Sequence, residues 1–417
     1  MSKKLLIIGF VWPEPNATAA GSRMQQLIEF FLNKNYKITF ASTASKSNLS
    51  LKLEDLGITE VSIALNNTSF DDFILKLQPE IVLFDRFLTE EQFGWRVAEN
   101  VPSAIRILDT EDLHSLRSVR AQLCKKNSSF TIDEWLKSDI TKREIASIYR
   151  CDLSLIISSY EMELLCKHIK ISTSLLLHLP FMLAEIYTKK NEMPSFENRK
   201  DFVCIGNGKH TPNIDAFLWL NKKIWPLIRK ELPNATLHVY GAYLPQQIVE
   251  MHRPDEGVIV HGFVDDLEIM MKGARINLAP LRFGAGIKGK LADAMCFGLP
   301  SITTKIGAEG MHRDLDWCGE VVDNAVEFAN AAASLYQNQE KWNIAQQNGF
   351  RIINQLYDKN ILSTNFESKL IDIQSNLIAH RKANFIGALL LHESMKSTKY
   401  MSKWIEEKNK EVVLKKK

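Results

Sequence analysis

The chain runs through one pattern twice: short apolar segments rich in Val, Ile and Leu, each separated from the next by a longer amphipathic stretch. "KLLIIGF", "YKITFAS", "EVSIAL", "EIVLFD", "AIRILD" and "LSLIIS" make the first series; "DFVCIG", "TLHVYG", "GVIVHGF", "INLAPL", "PSITT" and "GEVVD" make the second. Near-continuous apolar runs of this length suit strands buried on both faces, and parallel strands need crossover helices between them. "GSRMQQLIEFFLNKN", Gly21 to Asn35, is the clearest such helix, with Met24, Leu27, Ile28 and Phe31 at helical spacing. Between the two series "YTKKNEMPSFENRKD", Tyr187 to Asp201, thins in apolar residues and reads as a linker. The fold class that follows is α/β: two doubly wound domains, residues 1–190 and 200–375, facing a cleft, each offering the C-terminal edge of its strands to a ligand. In "PNIDAFLWLNKKIWPLIRKEL" a helix is expected up to Trp225, with a kink or break at Pro226. Beyond about Ala325 the pattern is helical, and residues 376–417 are expected as a terminal helical segment that closes either domain or crosses back to the first.

Composition narrows the function classes. With 417 residues, 45% hydrophobic and 24% charged, the chain has the make-up of a soluble protein with more than one core. A formal net charge of +3 is too small to point to a nucleic-acid partner. No apolar run approaches the roughly 20 residues of a transmembrane helix, and "MSKKLLIIGFVWPEP" passes from its apolar part into a Pro-rich loop, as a first strand would and a signal peptide would not. Six cysteines without a C-x-x-C argue against zinc and against a disulfide framework, and fit a reducing cytoplasm. In "KWIEEKNKEVVLKKK", Trp404 and the terminal lysines offer a peripheral contact with the inner membrane face; Glu406, Glu407 and Glu411 interrupt the basic run, and a solvated helix is the favoured reading.

Chemistry concentrates in "RFGAGIKGKLADAMCFGLPSITT", Arg282 to Thr304. A strand ends at Leu281, glycines follow, and a helix carrying Leu291, Ala292, Ala294 and Met295 begins. Such a junction turns free amide groups and the positive end of a helix dipole toward an anion. Lys288 and Lys290 add full charges. Gly284 to Lys290 spells G-x-x-x-x-G-K, but a P-loop needs Ser or Thr next, and Leu291 stands there. Nor does "GFVWPEP" supply the G-x-G-x-x-G of a nicotinamide enzyme. Asp293, one turn into the helix, is placed for ribose hydroxyls if phosphates rest on the loop.

Three stretches in register, "IGNGKHTPNIDAFLWL", "HGFVDDL" and "FGAGIKGKLADAMCFGLPSITTKIGAEGM", together resemble the nucleotide-binding half of family 4 glycosyltransferases, retaining enzymes of GT-B architecture with two Rossmann-like domains. The resemblance implies a nucleoside diphosphate sugar as donor substrate, no cofactor and no obligatory metal. It implies a glycan, a lipid-linked glycan or another hydroxyl acceptor, and hexosyl transfer in polysaccharide or glycoconjugate biosynthesis. Carried over by position, it places Asp293 on the ribose, where the family has the second Glu of its E-x7-E motif. Lys288 falls on the diphosphate with a catalytic role, Val264 beside the nucleobase, and Gly284, Gly286 and Gly289 where backbone approaches the donor. Gly206 and His210 line the first loop of the same domain, and Glu309 lies at the cleft edge within reach of the sugar. Ala285 stands where the family has the other Glu, so sugar contacts pass to the loop amides of Phe283 to Gly286. Asn213 is read as starting a helix with Pro212.

Weaker similarity continues in "PEPNATAAGSRMQQL" and "DTEDLHSLR". Gly21 and Arg23 open a helix after a long loop; Arg23 faces an acceptor or the diphosphate, or is an ordinary surface arginine. Asp109, Glu111, Asp112 and His114 gather after "AIRILD", with Arg117 and Arg120 further along the next helix. Glu111 is expected on the substrate side, and Asp112 with His114 as the catalytic pair the resemblance implies. Sugar transfer has its own physical demand: negative charge grows on the departing diphosphate, and preorganised cations and amides lower that barrier. Two other readings remain open, a nucleotide-sugar epimerase of the same fold and a noncatalytic sugar-nucleotide-binding protein.

Overall fold

The structure, a computed structural model, describes residues 3–186 and 193–414; residues 187–192 of the expected linker and the terminal lysines 415–417 lie outside the described residues. β1 (Lys4–Gly9), β2 (Lys37–Ser42), β3 (Thr59–Ser62), β4 (Ile81–Asp85), β5 (Ile105–Asp109), β6 (Leu153–Ile156) and β7 (Leu176–His178) form one parallel sheet in the order β3-β2-β1-β4-β5-β6-β7. β8 (Lys200–Ile205), β9 (Leu237–Tyr240), β10 (Val258–Gly262), β11 (Ala274–Ala279), β12 (Ser301–Thr303) and β13 (Gly319–Val321) form a second, also parallel, in the order β10-β9-β8-β11-β12-β13. All twelve expected runs are strands. β7 was not among them: it is a three-residue edge strand, too short for any period to show.

The apolar runs are continuous because both faces are covered. Leu5 and Ile7 of β1 point into one core, and Leu6 and Ile8 point into another on the opposite face. Strand order reverses between β1 and β4 in the first sheet and between β8 and β11 in the second, the two positions where a doubly wound sheet opens a crevice. The segments that leave these four strands carry Arg23, Arg86, His210 and the bend from Gly284 to Lys290.

Two helical features differ from expectation. The helix beginning at Thr211 does not break at Pro226: a wider π turn, Leu220–Ile224, intervenes, and Pro226 sits at the start of the last segment, Trp225–Glu231, where its missing N–H matters least. The crossing back to the first domain begins ahead of residue 376. Helix Lys359–Ser375 already stacks Phe366 on Phe30, with ring centroids 4.5 Å apart, and buries Leu370 and Ile373 in the core around Leu27. Helices Leu377–Ala383 and Phe385–Leu414 follow, and the latter lies along helices Arg86–Asn100 and Asp139–Arg150. Among the described residues no helix is long and apolar enough to cross a membrane.

Candidate functional site

The glycine loop between β11 and helix Gly289–Cys296 presses directly on the first domain. The Gly286 amide donates to Glu161 Oε1 at 2.8 Å, and Arg120 reaches across to the Gly284 carbonyl at 3.0 Å and to both Glu309 oxygens at 2.7 and 2.8 Å. On the opposite flank Asn207 donates to the Ala17 carbonyl at 3.2 Å, and the Tyr243 hydroxyl to Glu14 at 3.1 Å. Two glycines make this approach possible. A Cβ at Gly286, whose φ is +64°, would lie 2.8 Å from the Asp112 Cβ, and one at Gly289 would lie 2.7 Å from the Ala19 Cβ. Gly286→Ala is therefore expected to cost about 1–2 kcal/mol in backbone strain, to wedge the loop off the first domain, and to lower donor affinity in calorimetry.

Glu161, fully buried, pins the loop amide and also accepts from the Leu113 amide at 2.9 Å. Burial and then the nearby Asp112 carboxylate push its carboxyl up to about 8, although its two amide donors oppose them. In the unfolded chain such a group titrates near ~4.3. Between these values the folded protein holds a proton that the unfolded chain has released, so stability falls as pH rises from ~4 to ~8. Burial acts in the same sense, up to about 7, on Glu144, which accepts from the His114 and Ser115 amides. Glutamine keeps the acceptor without the charge, so Glu161→Gln is expected to raise the melting temperature at pH 8 by ~2–4 °C and to flatten its decline between pH 6 and 8. Thermal unfolding across that range checks it.

Behind the loop, two helices start side by side. Helix Thr211–Trp219 follows β8 and helix Gly289–Cys296 follows the glycine loop; neither has a side-chain cap on its first amides. Lys290 Nζ lies between them, donating to Asn213 Oδ1 at 2.7 Å, and Asn213 in turn donates to the Asn207 carbonyl at 3.0 Å. Asn213 is thus inside its helix and fixes the lysine, a role different from the helix start expected of it; Pro212 does sit in the first turn. Gly206 makes room, since a Cβ there would come within 2.6 Å of Asn213 Cγ. Burial lowers Lys290 to about 8, and among the described residues no carboxylate offsets that. Asp293, one turn further along the helix, is raised to about 7 by burial, and among the described residues no cation offsets that. A cation between two open helix N-termini and a carboxylate one turn along the second helix stand without an offsetting charge among the described residues.

Lys288 has a different environment. Only 8% exposed, it donates to the Gly286 carbonyl at 2.8 Å; burial draws it to about 8, against Glu309, Glu161 and Asp112, which favour its charge. Its positive charge is shared with the protein's own acids, whereas that of Lys290 is not. Lys290 was visible in the motif, but its place as the unshared cation was missed. The available signal was the three-residue spacing to Asp293, which puts both on one face. Val264 lies half-buried on the turn after β10, and His210 stands exposed just before helix Thr211–Trp219.

In the first domain Arg23 is 1% exposed. Its Nε donates to Asp109 at 2.9 and 3.1 Å and its Nη1 to the Leu179 carbonyl at 2.7 Å, which ties helix Ala19–Asn33 to the end of β5. Gly21 packs against the Glu14 backbone, where a Cβ would approach to 2.4 Å. Asp112 binds Arg117 and lies 3.4 Å from His114 Nε2; burial raises its carboxyl, but Arg117, His114 and His210 outweigh that and hold it low. Burial, opposed by Asp112 and aided by Arg117, draws His114 down to about 4, so the ring is neutral near pH 7. Glu111, at φ +62°, is pushed well above the carboxylate range by burial and then by Asp109 and Asp85, and its Oε1 is buried without a hydrogen-bond partner. Beside it Arg86 opens the helix after β4 at φ +71° and lies over the Phe10 ring at 5.1 Å. Arg86 and Asp85 escaped the sequence reading, although "EIVLFDRF" places them where the fourth strand ends.

Comparisons with known proteins agree with this arrangement. Residues 199–338 match the family model described as glycosyl transferases group 1. A Klebsiella pneumoniae protein described as "Uncharacterized 44.6 kDa protein in cps region" is 24% identical over 242 residues, which span 56% of this chain and 60% of that protein's own length. Sucrose-phosphate synthase from Thermosynechococcus elongatus is similar with a TM-score of 0.65 at 14% identity, over 89% of this chain and 99% of that one. A TarM variant from S. aureus, in complex with fondaparinux, alpha-GlcNAc-glycerol and UDP, gives 0.65 at 10% identity over 89% and 99%. HepE from Anabaena, in complex with UDP and glucose, gives 0.61 at 12% identity over 89% and 100%. Two parallel-sheet Rossmann-like domains whose strand ends meet, with a nucleotide-side half that fits the group 1 glycosyltransferases, give this chain the GT-B fold of those enzymes.

Proposed function

We propose that the chain is a family 4 glycosyltransferase that moves a hexosyl group from a nucleoside diphosphate sugar to a hydroxyl of a glycan or lipid-linked glycan in the cytoplasm, with retention of configuration and no obligatory metal. The bond from the anomeric carbon to the diphosphate breaks, a bond from that carbon to the acceptor oxygen forms, and the acceptor proton leaves with the nucleoside diphosphate. The observation that carries this reading is the Lys290 amine between two uncapped helix starts, with the Asp293 carboxylate one turn along the second helix. Such a site takes a dianion at the lysine and hydroxyls at the carboxylate, the two ends of a nucleoside diphosphate. Lys288 and Arg120 stand on the sugar side of the loop, Val264 on the base side, and Asp112, His114, Glu111 and Arg86 on the acceptor side.

Ala285 packs against the first-domain core. A glutamate there would drive a charge into apolar surroundings, so the sugar contacts fall to the loop and to Glu309. Isothermal titration against a panel of nucleotide sugars, UDP sugars first because two similar proteins were solved with UDP, followed by slow donor hydrolysis, tests the reading. Absence of binding to every donor sinks it. Binding without hydrolysis or transfer would favour the noncatalytic alternative, and isomerised donor without acceptor would favour an epimerase.

A further inference from the structure

Seven large apolar side chains stand in solvent along the terminal helices: Ile378 (87% exposed), Phe385 (73%), Ile386 (49%), Leu389 (51%), Tyr400 (64%), Met401 (57%) and Trp404 (55%). Exposed singly they would be unremarkable, but six of the seven share one side of helix Phe385–Leu414. Phe385, Leu389, Lys396, Tyr400, Lys403 and Trp404 recur at helical spacings of three, four and seven. The opposite side is the one docked on the first domain, where Arg96 holds Ser402 Oγ at 3.3 Å and Glu406 at 2.6 Å. The helix spans 30 residues, about 45 Å at the α-helical rise, so the stripe is a long flat edge and no groove.

Charge says what covers it. Lys382, Lys396 and Lys403 are exposed, and Lys408 lies over the Trp404 ring at 4.2 Å; Glu406 is already taken by Arg96, and Glu407 is the exposed carboxylate that stands among these lysines. The helix itself has five lysines and four glutamates, and three further lysines follow it in the sequence, so that the stretch from Phe385 onward carries a net +4 where the entire chain carries only +3. Aromatic residues with lysines alongside, on an amphipathic helix lying flat, suit the boundary between headgroups and acyl chains of an anionic bilayer. We propose that the outer face of helix Phe385–Leu414 docks this protein on an anionic lipid surface, with Tyr400 and Trp404 inserted and Lys396, Lys403 and Lys408 over the phosphates. The inference does not rest on the donor reading, because the face lies outside the cleft and binding needs no nucleotide.

Co-sedimentation of the full chain with vesicles tests it, comparing phosphatidylcholine alone with phosphatidylcholine containing phosphatidylglycerol. Partition into the anionic vesicles is expected to be at least tenfold stronger and to weaken with salt. Tyr400→Ser with Trp404→Ser, and separately Lys396→Glu with Lys403→Glu and Lys408→Glu, are each expected to reduce it by tenfold or more with an unchanged melting temperature, since all five side chains are exposed. Equal partition into both vesicles, or binding unaffected by either set, overturns the proposal. So does a dimer in light scattering that the apolar pair abolishes while no vesicle is bound, which would assign the stripe to a second copy of the chain.

Discussion

Lys290→Met is expected to lower kcat/KM for a nucleotide-sugar donor by about 10²- to 10³-fold, the loss typical of one preorganised charge-stabilising group, while leaving the protein as stable as before or more so. The two halves of this result have one cause. The amine lies half-buried between helix starts, desolvation brings it to about 8, and no carboxylate among the described residues offsets that. In the unfolded chain a lysine titrates near ~10.4. Below ~8 the folded protein therefore carries a charge it holds at a cost, and from ~8 to ~10 the folded state binds fewer protons than the unfolded one, so stability rises with pH across that window. Methionine fills the space and removes the cost. Lys288→Met is expected to behave differently: its amine bonds the Gly286 carbonyl at 2.8 Å and faces Glu309, Glu161 and Asp112, so its removal lowers the melting temperature. Donor titration and thermal unfolding on both variants separate the roles. A Lys290→Met protein that binds every donor as tightly as the parent would move the diphosphate elsewhere.

Arg23→Met is expected to destabilise the first domain by about 3–5 kcal/mol, the usual consequence of leaving one partner of a buried ion pair behind. The Asp109 carboxylate would lose bonds of 2.9 and 3.1 Å and remain beside Asp85 and Glu111, two further carboxyls that burial and the Asp109 charge already raise. The Leu179 carbonyl would lose its donor as well. Denaturant unfolding followed by probes in each domain checks this, because two domains need not melt as one. A companion Asp109→Leu substitution is expected to recover part of the loss, since it removes the stranded charge. If Arg23→Met were instead as stable as the parent and raised only the acceptor KM, the arginine would be a substrate contact and not a brace for the cleft wall.

Arg23 and Lys290 mark how far the sequence could be read. The long loop before Arg23 identified the right edge of the right sheet, yet nothing local distinguished an arginine facing the cleft from one buried beneath it. Its partner lies 86 residues away and its second acceptor 156. Likewise the glycine loop was legible as a bend entering a helix start, but which of Lys288 and Lys290 stands without a counter-charge depended on which amine meets carboxylates from elsewhere. Glu161, absent from the motif reading altogether, touches the loop from 125 residues away. The π turn at Leu220–Ile224 shows the same limit on a smaller scale: Pro226 announced a disturbance, and packing decided that the helix would absorb it.

By itself the sequence determined two doubly wound parallel sheets, their strand positions and the glycine bend entering a helix, because apolar period, turn chemistry and helix starts are properties of neighbours along the chain. Only the tertiary structure decided which charges are shared and which stand without a counter-charge, where the terminal helices cross back, and which of their faces stays bare. Those depend on desolvation and on partners distant in the chain, and both are set when the two strand edges come together.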